Sequence, residues 1–198
     1  RLSSGLYNQA NASLMGRVAV QSSVSMFGGP ERLVRSVLNL LQPITLVFMP
    51  RVSHLHAKDP QRAHQEIRKL LVVLGGVGTV FGLSLAVAAP WVVQTMLGPG
   101  YEDAIPVLRI LALLPPTTAV GTVFGMYWAV PFGRERAFLA AVMAAGVCNL
   151  AMVPIIVPRF GAPGMAVSAV TAELIVAVSL AVLYVRDRAR PLVPQERP

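Results

Sequence analysis

From Leu70 to Gly98 the chain carries 29 residues without a charge, and Pro90 is the only proline among them. As a helix, such a run is roughly 43 Å long at about 1.5 Å per residue. The apolar core of a bilayer needs only about 20 residues. The run is therefore expected to cross a membrane with length to spare, tilting or kinking at Pro90. Further apolar runs follow it, separated by short polar turns. Hydrophobic residues make up 55% of the chain and charged residues 13%, against roughly 25% in soluble domains. A large soluble helical core is the bland alternative, and several runs above 18 apolar residues argue against it. The expected fold is an all-α membrane protein, a polytopic transmembrane helix bundle.

The predicted spans are about 30–50, 70–97, 104–130, 137–158 and 164–185. Pro30 suits a first helical turn, with Glu31 beside the positive end of the dipole. Pro43 is expected to kink the first span and Pro50 to end it. Residues 51–69 read as a polar connection, with Asp59-Pro60 as a turn or helix-start signal. His54, His56 and His64 fall in it and read as solvated rather than as a metal site. In 104–130, the pair Pro115-Pro116 is expected to break the hydrogen-bond ladder, which a bilayer tolerates only where other groups satisfy the freed carbonyls. Gly75, Gly78 and Gly82 share one helix face and predict close helix packing. Residues 1–27 are only moderately apolar. They read either as part of a helix facing a polar cavity, with a turn near Arg17–Ser25, or as a solvated start. The opening at Arg1 leads us to expect a fragment of a longer protein. The Arg- and Pro-rich tail, 186–198, is expected to be disordered.

The net charge of +8 is explained by its location. Alternate connections (51–69, 131–136 and the tail) hold eleven Lys and Arg, and the intervening ones hold two. Positively charged connections stay cytoplasmic. The pattern places 51–69, 131–136 and the C-terminus inside, and 98–103 and 159–163 outside. Nucleic acid is not needed to account for the charge. Cys148 is the single cysteine and reads as a small hydrophobe, so no internal disulfide is expected. No P-loop and no nucleophile–base arrangement is present, so neither an enzyme nor a cofactor is expected.

Five segments in order carry a family resemblance: GGPERL at 28–33, FMPRVS at 48–53, LGPGYEDA at 97–104 followed by PVLRIL at 106–111, FGRER at 132–136, and VPRFGAPGMA at 157–166. Together, over about 28–186, they resemble the Wzx-type lipid-linked oligosaccharide flippases, the polysaccharide transporter branch of the multidrug/oligosaccharidyl-lipid/polysaccharide exporter superfamily. GGPERL looks like the family's glycine turn before a helix. The match covers the family's second half, about six helices of twelve to fourteen. The resemblance implies one lobe of a two-lobe flippase in the bacterial inner membrane, with the other lobe as partner. It implies an undecaprenyl-diphosphate-linked oligosaccharide as substrate, membrane lipids around it, and other polysaccharide assembly proteins as further partners.

Within that frame Arg35 and Arg109 enter spans, where arginine marks a substrate path and suits phosphate. Snorkelling to the interface is the alternative. Arg51 and Arg134 lie at the cytoplasmic rim, as substrate attractors or as topology determinants. Asn39, Gln42 and Asn149 are candidates for sugar hydroxyls or for interhelical hydrogen bonds. Glu173, deep in the last span, is a candidate for cation coupling or for pairing with an arginine. The rival functions are a multidrug-type cation antiporter of the same superfamily and a non-transporting membrane scaffold. A glycan polymerase or ligase would need larger outer loops.

Overall fold

The computed structural model describes residues 21–189, with the side chains at 21–25, 40–47, 189 and several between 49 and 60 left outside. Every described element is helical. Helix α1 spans Gln21–Lys58 and α2 spans Pro60–Met96. After a turn come α3 (Ala104–Leu111), α4 (Leu114–Thr122) and a π-helical segment, Val123–Ala129. The last helix, α5, spans Glu135–Ala189.

Helix α1 overrides its local punctuation. Gly28, Gly29 and Pro30 lie inside the helix rather than in a turn before it, and the helix passes Pro43 and Pro50 to reach Lys58. Once a helix is nucleated, propagation on both sides of a proline outweighs one lost hydrogen bond. Residues 21–25 are helical too, where a turn near Arg17–Ser25 was expected; 1–20 lie outside the described residues. Gly29 has a tertiary reason: a Cβ there would sit 2.7 Å from Leu97 Cδ2, so this side chain of the far end of α2 packs on bare backbone.

The expected polar connection, 51–69, is helical apart from a break at Asp59. The Asp59 carboxylate accepts from the backbone N–H groups of Gln61 and Arg62, both at 3.1 Å, and so caps α2. The ladder breaks at 112–113, as the Pro115-Pro116 pair leads one to expect, and the two prolines fall in the first turn of α4, where a missing N–H costs nothing. The span expected over 104–130 is thus three consecutive helical pieces.

As a straight rod, the 55 residues of α5 would run to about 82 Å. Yet Arg134, beside its first residue, forms an ion pair with Asp187 near its last. The helix therefore doubles back, and it does so at Gly161, with φ 56° and ψ −133°. That backbone conformation is essentially closed to residues with a Cβ. At the bend a Cβ on Gly164 would lie 2.9 Å from Ile156 Cγ2. Its two limbs, 135–160 and 162–189, return the chain to its starting level. Replacing Gly161 with Ala is expected to cost about 1–3 kcal/mol, seen as a lower unfolding temperature in detergent.

The helices run up and down between two ends. One end holds the turn at 98–103 and the bend at Gly161. The other holds Asp59, the turn at 130–134 and Asp187, and is strongly basic. Each end has its own apolar core. Phe27, Val34, Val93, Leu108, Leu111 and Met165 fill the first, and Val52, Ile67, Tyr127, Trp128, Leu180 and Tyr184 the second. Between them α2 meets the α3–α4 junction backbone to backbone. A Cβ on Gly78 would stand 2.8 Å from the Pro115 carbonyl oxygen, and one on Gly82 would collide with that of Ala112. Gly75, expected on the same packed face, has nothing within 4 Å of such a Cβ. The opposite face of α2 turns outward: Val72, Val80, Leu83, Val87 and Trp91 are exposed. Water would penalise such a face, and hydrocarbon would not.

Among the described residues three helices are long and apolar enough to cross a membrane, Gln61–Met96, Ala104–Ala129 and Glu135–Arg188. About six helices were expected from the sequence. Helix α5 continues past residue 185 to Ala189, into the stretch expected to be a disordered tail; 190–198 lie outside the described residues.

Candidate functional site

A charge among apolar helices must find a partner or face water. Arg35 does the former. Its Nε donates to Oε1 of Glu31 at 2.8 Å, one turn earlier on α1. The Arg35 side chain is 37% exposed and that of Glu31 26%, so the pair sits at the edge of the bundle and not in its core. Across the helix interface the Arg35 charge also acts on the carboxylate of Glu173, on the second limb of α5. Its bonded partner is thus Glu31, and Glu173 feels its charge from another helix.

Asn149 shares that level. Asn149 and Glu173 lie equally far from Gly161 along the two limbs, so the bend brings them to one depth. Asn149 is 1% exposed, and neither amide atom has a hydrogen-bond partner among the described residues. It extends the buried stripe Ala141, Ala145, Asn149, Val153, Val157, spaced by one helical turn. Beside the trio, Arg32, Ser36 and Asn39 are exposed on α1 at helical spacing. An exposed polar stripe at this depth suits water or protein and not lipid.

The chemistry follows from the donor count. A guanidinium has five N–H donors in a planar fork. The Nε edge goes to Glu31, and the terminal nitrogens carry the remaining N–H donors. An anion reaching Arg35 must compete with the carboxylate of Glu31, its bonded partner.

The remaining candidates lie elsewhere. Arg109 is exposed in the last turn of α3, where a cation complements the helix dipole. Arg134 is bound to Asp187. The side chains of Gln42 and Arg51 lie outside the described residues. His64, expected in a solvated connection, packs instead against Phe132 and Tyr184, with ring centroids 5.0 and 5.5 Å away. Among the described residues no group of three or more metal-ligating side chains comes together.

Two partners escaped the sequence reading. Glu31 had a local signal, its i,i+4 spacing to Arg35. Asp187 had none, since 53 residues separate it from Arg134. The Arg134–Asp187 pair is partly exposed, so breaking it with Asp187→Asn is expected to lower stability by at most about 1 kcal/mol, measured by thermal unfolding.

Long apolar helices, a lipid-type outer face and charges gathered at the middle and the rims define a helical membrane protein. The chain is similar to a protein of Escherichia coli (strain K12) named "Putative O-antigen transporter", 28% identical over 182 residues, which cover 92% of this chain and 44% of that protein. It is also similar to a protein of the same name from Shigella dysenteriae, 23% identical over 172 residues, covering 86% of this chain and 42% of that one. These relatives bear out the resemblance to the Wzx-type polysaccharide transporters. The chain spans less than half the length of the curated relatives it matches. No family model and no solved structure matches it.

Proposed function

We propose that this chain forms one lobe of a transporter that moves an undecaprenyl-diphosphate-linked oligosaccharide across the bacterial inner membrane by alternating access. The rest of a longer protein supplies the opposing lobe, and the basic end, with the C-terminus, faces the cytoplasm. The observation that carries this reading is Arg35, held by Glu31, acting by its charge on Glu173 and lying beside an exposed polar stripe. The names of the relatives point to the same class of cargo. A diphosphate and hydrated sugars need a wet, cationic path, because an ion in hydrocarbon is costly. Once Arg35 meets the diphosphate, its charge acts less on Glu173, which is then free to take up a proton or another cation. Asn39, Gln42 and Asn149 are the candidates for sugar hydroxyls, and Arg51, Arg109 and Arg134 for steering at the rims.

The test is complementation of a strain lacking its own flippase with the full-length protein, reading lipid-linked oligosaccharide on the outer leaflet. Recovery supports the proposal. Normal membrane abundance with no recovery across several sugar repeat units overturns it. Glu173→Gln is expected to change how transport depends on the proton or sodium gradient; an unchanged dependence removes Glu173 from coupling.

One observation favours the antiporter reading. Two carboxylates against one guanidinium make the trio net acidic when ionised, which suits a cationic cargo. Efflux of cationic drugs, without oligosaccharide transport, would select it.

A further inference from the structure

At the basic end, α2 and α5 meet through rings. His64 on α2 lies 5.5 Å from Tyr184 on α5, and Trp128 stands edge-on to Tyr184 at 5.6 Å. Tyr184 is 6% exposed and Trp128 1%. Neither the Tyr184 hydroxyl nor Trp128 Nε1 has a hydrogen-bond partner among the described residues. A buried donor left unpaired costs about 1–3 kcal/mol, so two in one cluster ask for an acceptor.

The surroundings say what kind of acceptor. Arg68 follows His64 by one turn on α2, and Arg188 follows Tyr184 by one turn on α5. The charges of both act on the Tyr184 hydroxyl. Both arginines are exposed. The ion pairs at this end use other cations: Asp59 holds Arg62, Glu66 holds Lys69 and Asp187 holds Arg134. Arg68 and Arg188 thus have no acidic partner among the described residues. Both side chains are long and flexible, so they can turn toward a shared anion beside the ring cluster.

We propose that this seam binds the phosphate of an anionic phospholipid headgroup, clamped by Arg68 and Arg188, with the Tyr184 hydroxyl donating to it from below. Guanidinium matches phosphate geometry in bidentate fashion, and Tyr and Trp favour the headgroup level. Basic sites between helices at a membrane surface take lipid phosphates in this way. The site lies apart from Arg35 and does not depend on what the protein transports.

The test uses the full-length protein in neutral detergent, with lipid binding followed by native mass spectrometry. Three probes are compared: phosphatidylglycerol, phosphatidylcholine with the same acyl chains, and soluble pyrophosphate. Phosphatidylglycerol is expected to bind tightest and to weaken with salt. Each arginine contributes about fivefold, so Arg68→Gln with Arg188→Gln should weaken it roughly 25-fold. Tyr184→Phe keeps the ring packing and should weaken it about fivefold. Arg62→Gln, on the same helix but paired with Asp59, should leave it unchanged. Equal binding of phosphatidylcholine, or unaltered binding by both the double variant and Tyr184→Phe, overturns the proposal. Displacement of the lipid by stoichiometric pyrophosphate overturns the lipid assignment in favour of a free phosphate or diphosphate.

Discussion

Gly82→Val is expected to keep the bundle from assembling. Gly82 faces the Ala112 carbonyl across the closest approach of α2 to the α3–α4 junction, and even one added carbon would collide with that oxygen. The obstacle is backbone, held at the start of α4 by Pro115 and Pro116, so no side-chain rotation relieves it. Overpacking a well-filled core costs about 1–3 kcal/mol when side chains can move, and more when they cannot. That is a large part of the 5–15 kcal/mol typical of a folded domain. Gly82→Val should therefore abolish the monodisperse peak in size-exclusion chromatography of the detergent-extracted protein. Gly78→Val should do the same, since its neighbour is the Pro115 carbonyl. Gly76→Ala is the control: nothing lies within 4 Å of its added carbon, and helix propensity alone predicts a gain of about 1 kcal/mol. A Gly82→Val protein that unfolds at the same temperature as the parent would refute this packing.

The second large effect is on transport and not on folding. Arg35→Ala is expected to lower export at least tenfold while membrane abundance stays near that of the parent. The stability cost is small because the Glu31–Arg35 pair is an i,i+4 pair at the bundle edge, worth about 0.3–0.5 kcal/mol. The transport cost is large because a charge-assisted hydrogen bond to an anion is worth about 1.5–3 kcal/mol, or roughly 10- to 100-fold. Arg35→Lys keeps the charge but loses the planar fork, so it should recover only part of the export. The measurement is outer-leaflet oligosaccharide per unit of membrane protein. Full export by Arg35→Ala would remove Arg35 from the substrate path.

Much of this was legible along the chain, for a local reason. Hydropathy marks lipid-facing helix, and the turns at 98–103, 130–134 and 161 each contain a glycine with positive φ. The Asp59-Pro60 helix start was equally readable, since a cap is made within three residues. The errors came where a local signal was weighed without its surroundings. Pro50 reads as a helix end and Gly28–Pro30 as a turn, yet α1 runs through both. The Pro115-Pro116 pair did mark a break, at 112–113, and it also starts the helix that follows.

By itself, the sequence determined the membrane class, the place of the tight turns, the resemblance to the polysaccharide transporters and the identity of the deep charges. All of these depend on composition or on neighbours within a turn or two. Only the tertiary structure decided which charges meet. The bend at Gly161 brings Asp187 to Arg134 and sets Glu173 level with Asn149. Packing of α1 on α5 then lets the Arg35 charge act on Glu173. A contact between residues 53 positions apart, as Arg134 and Asp187 are, leaves no trace in spacing or periodicity. It exists because an apolar bundle can close only along the faces where glycine lets backbones touch, and the charges on those faces must then find one another.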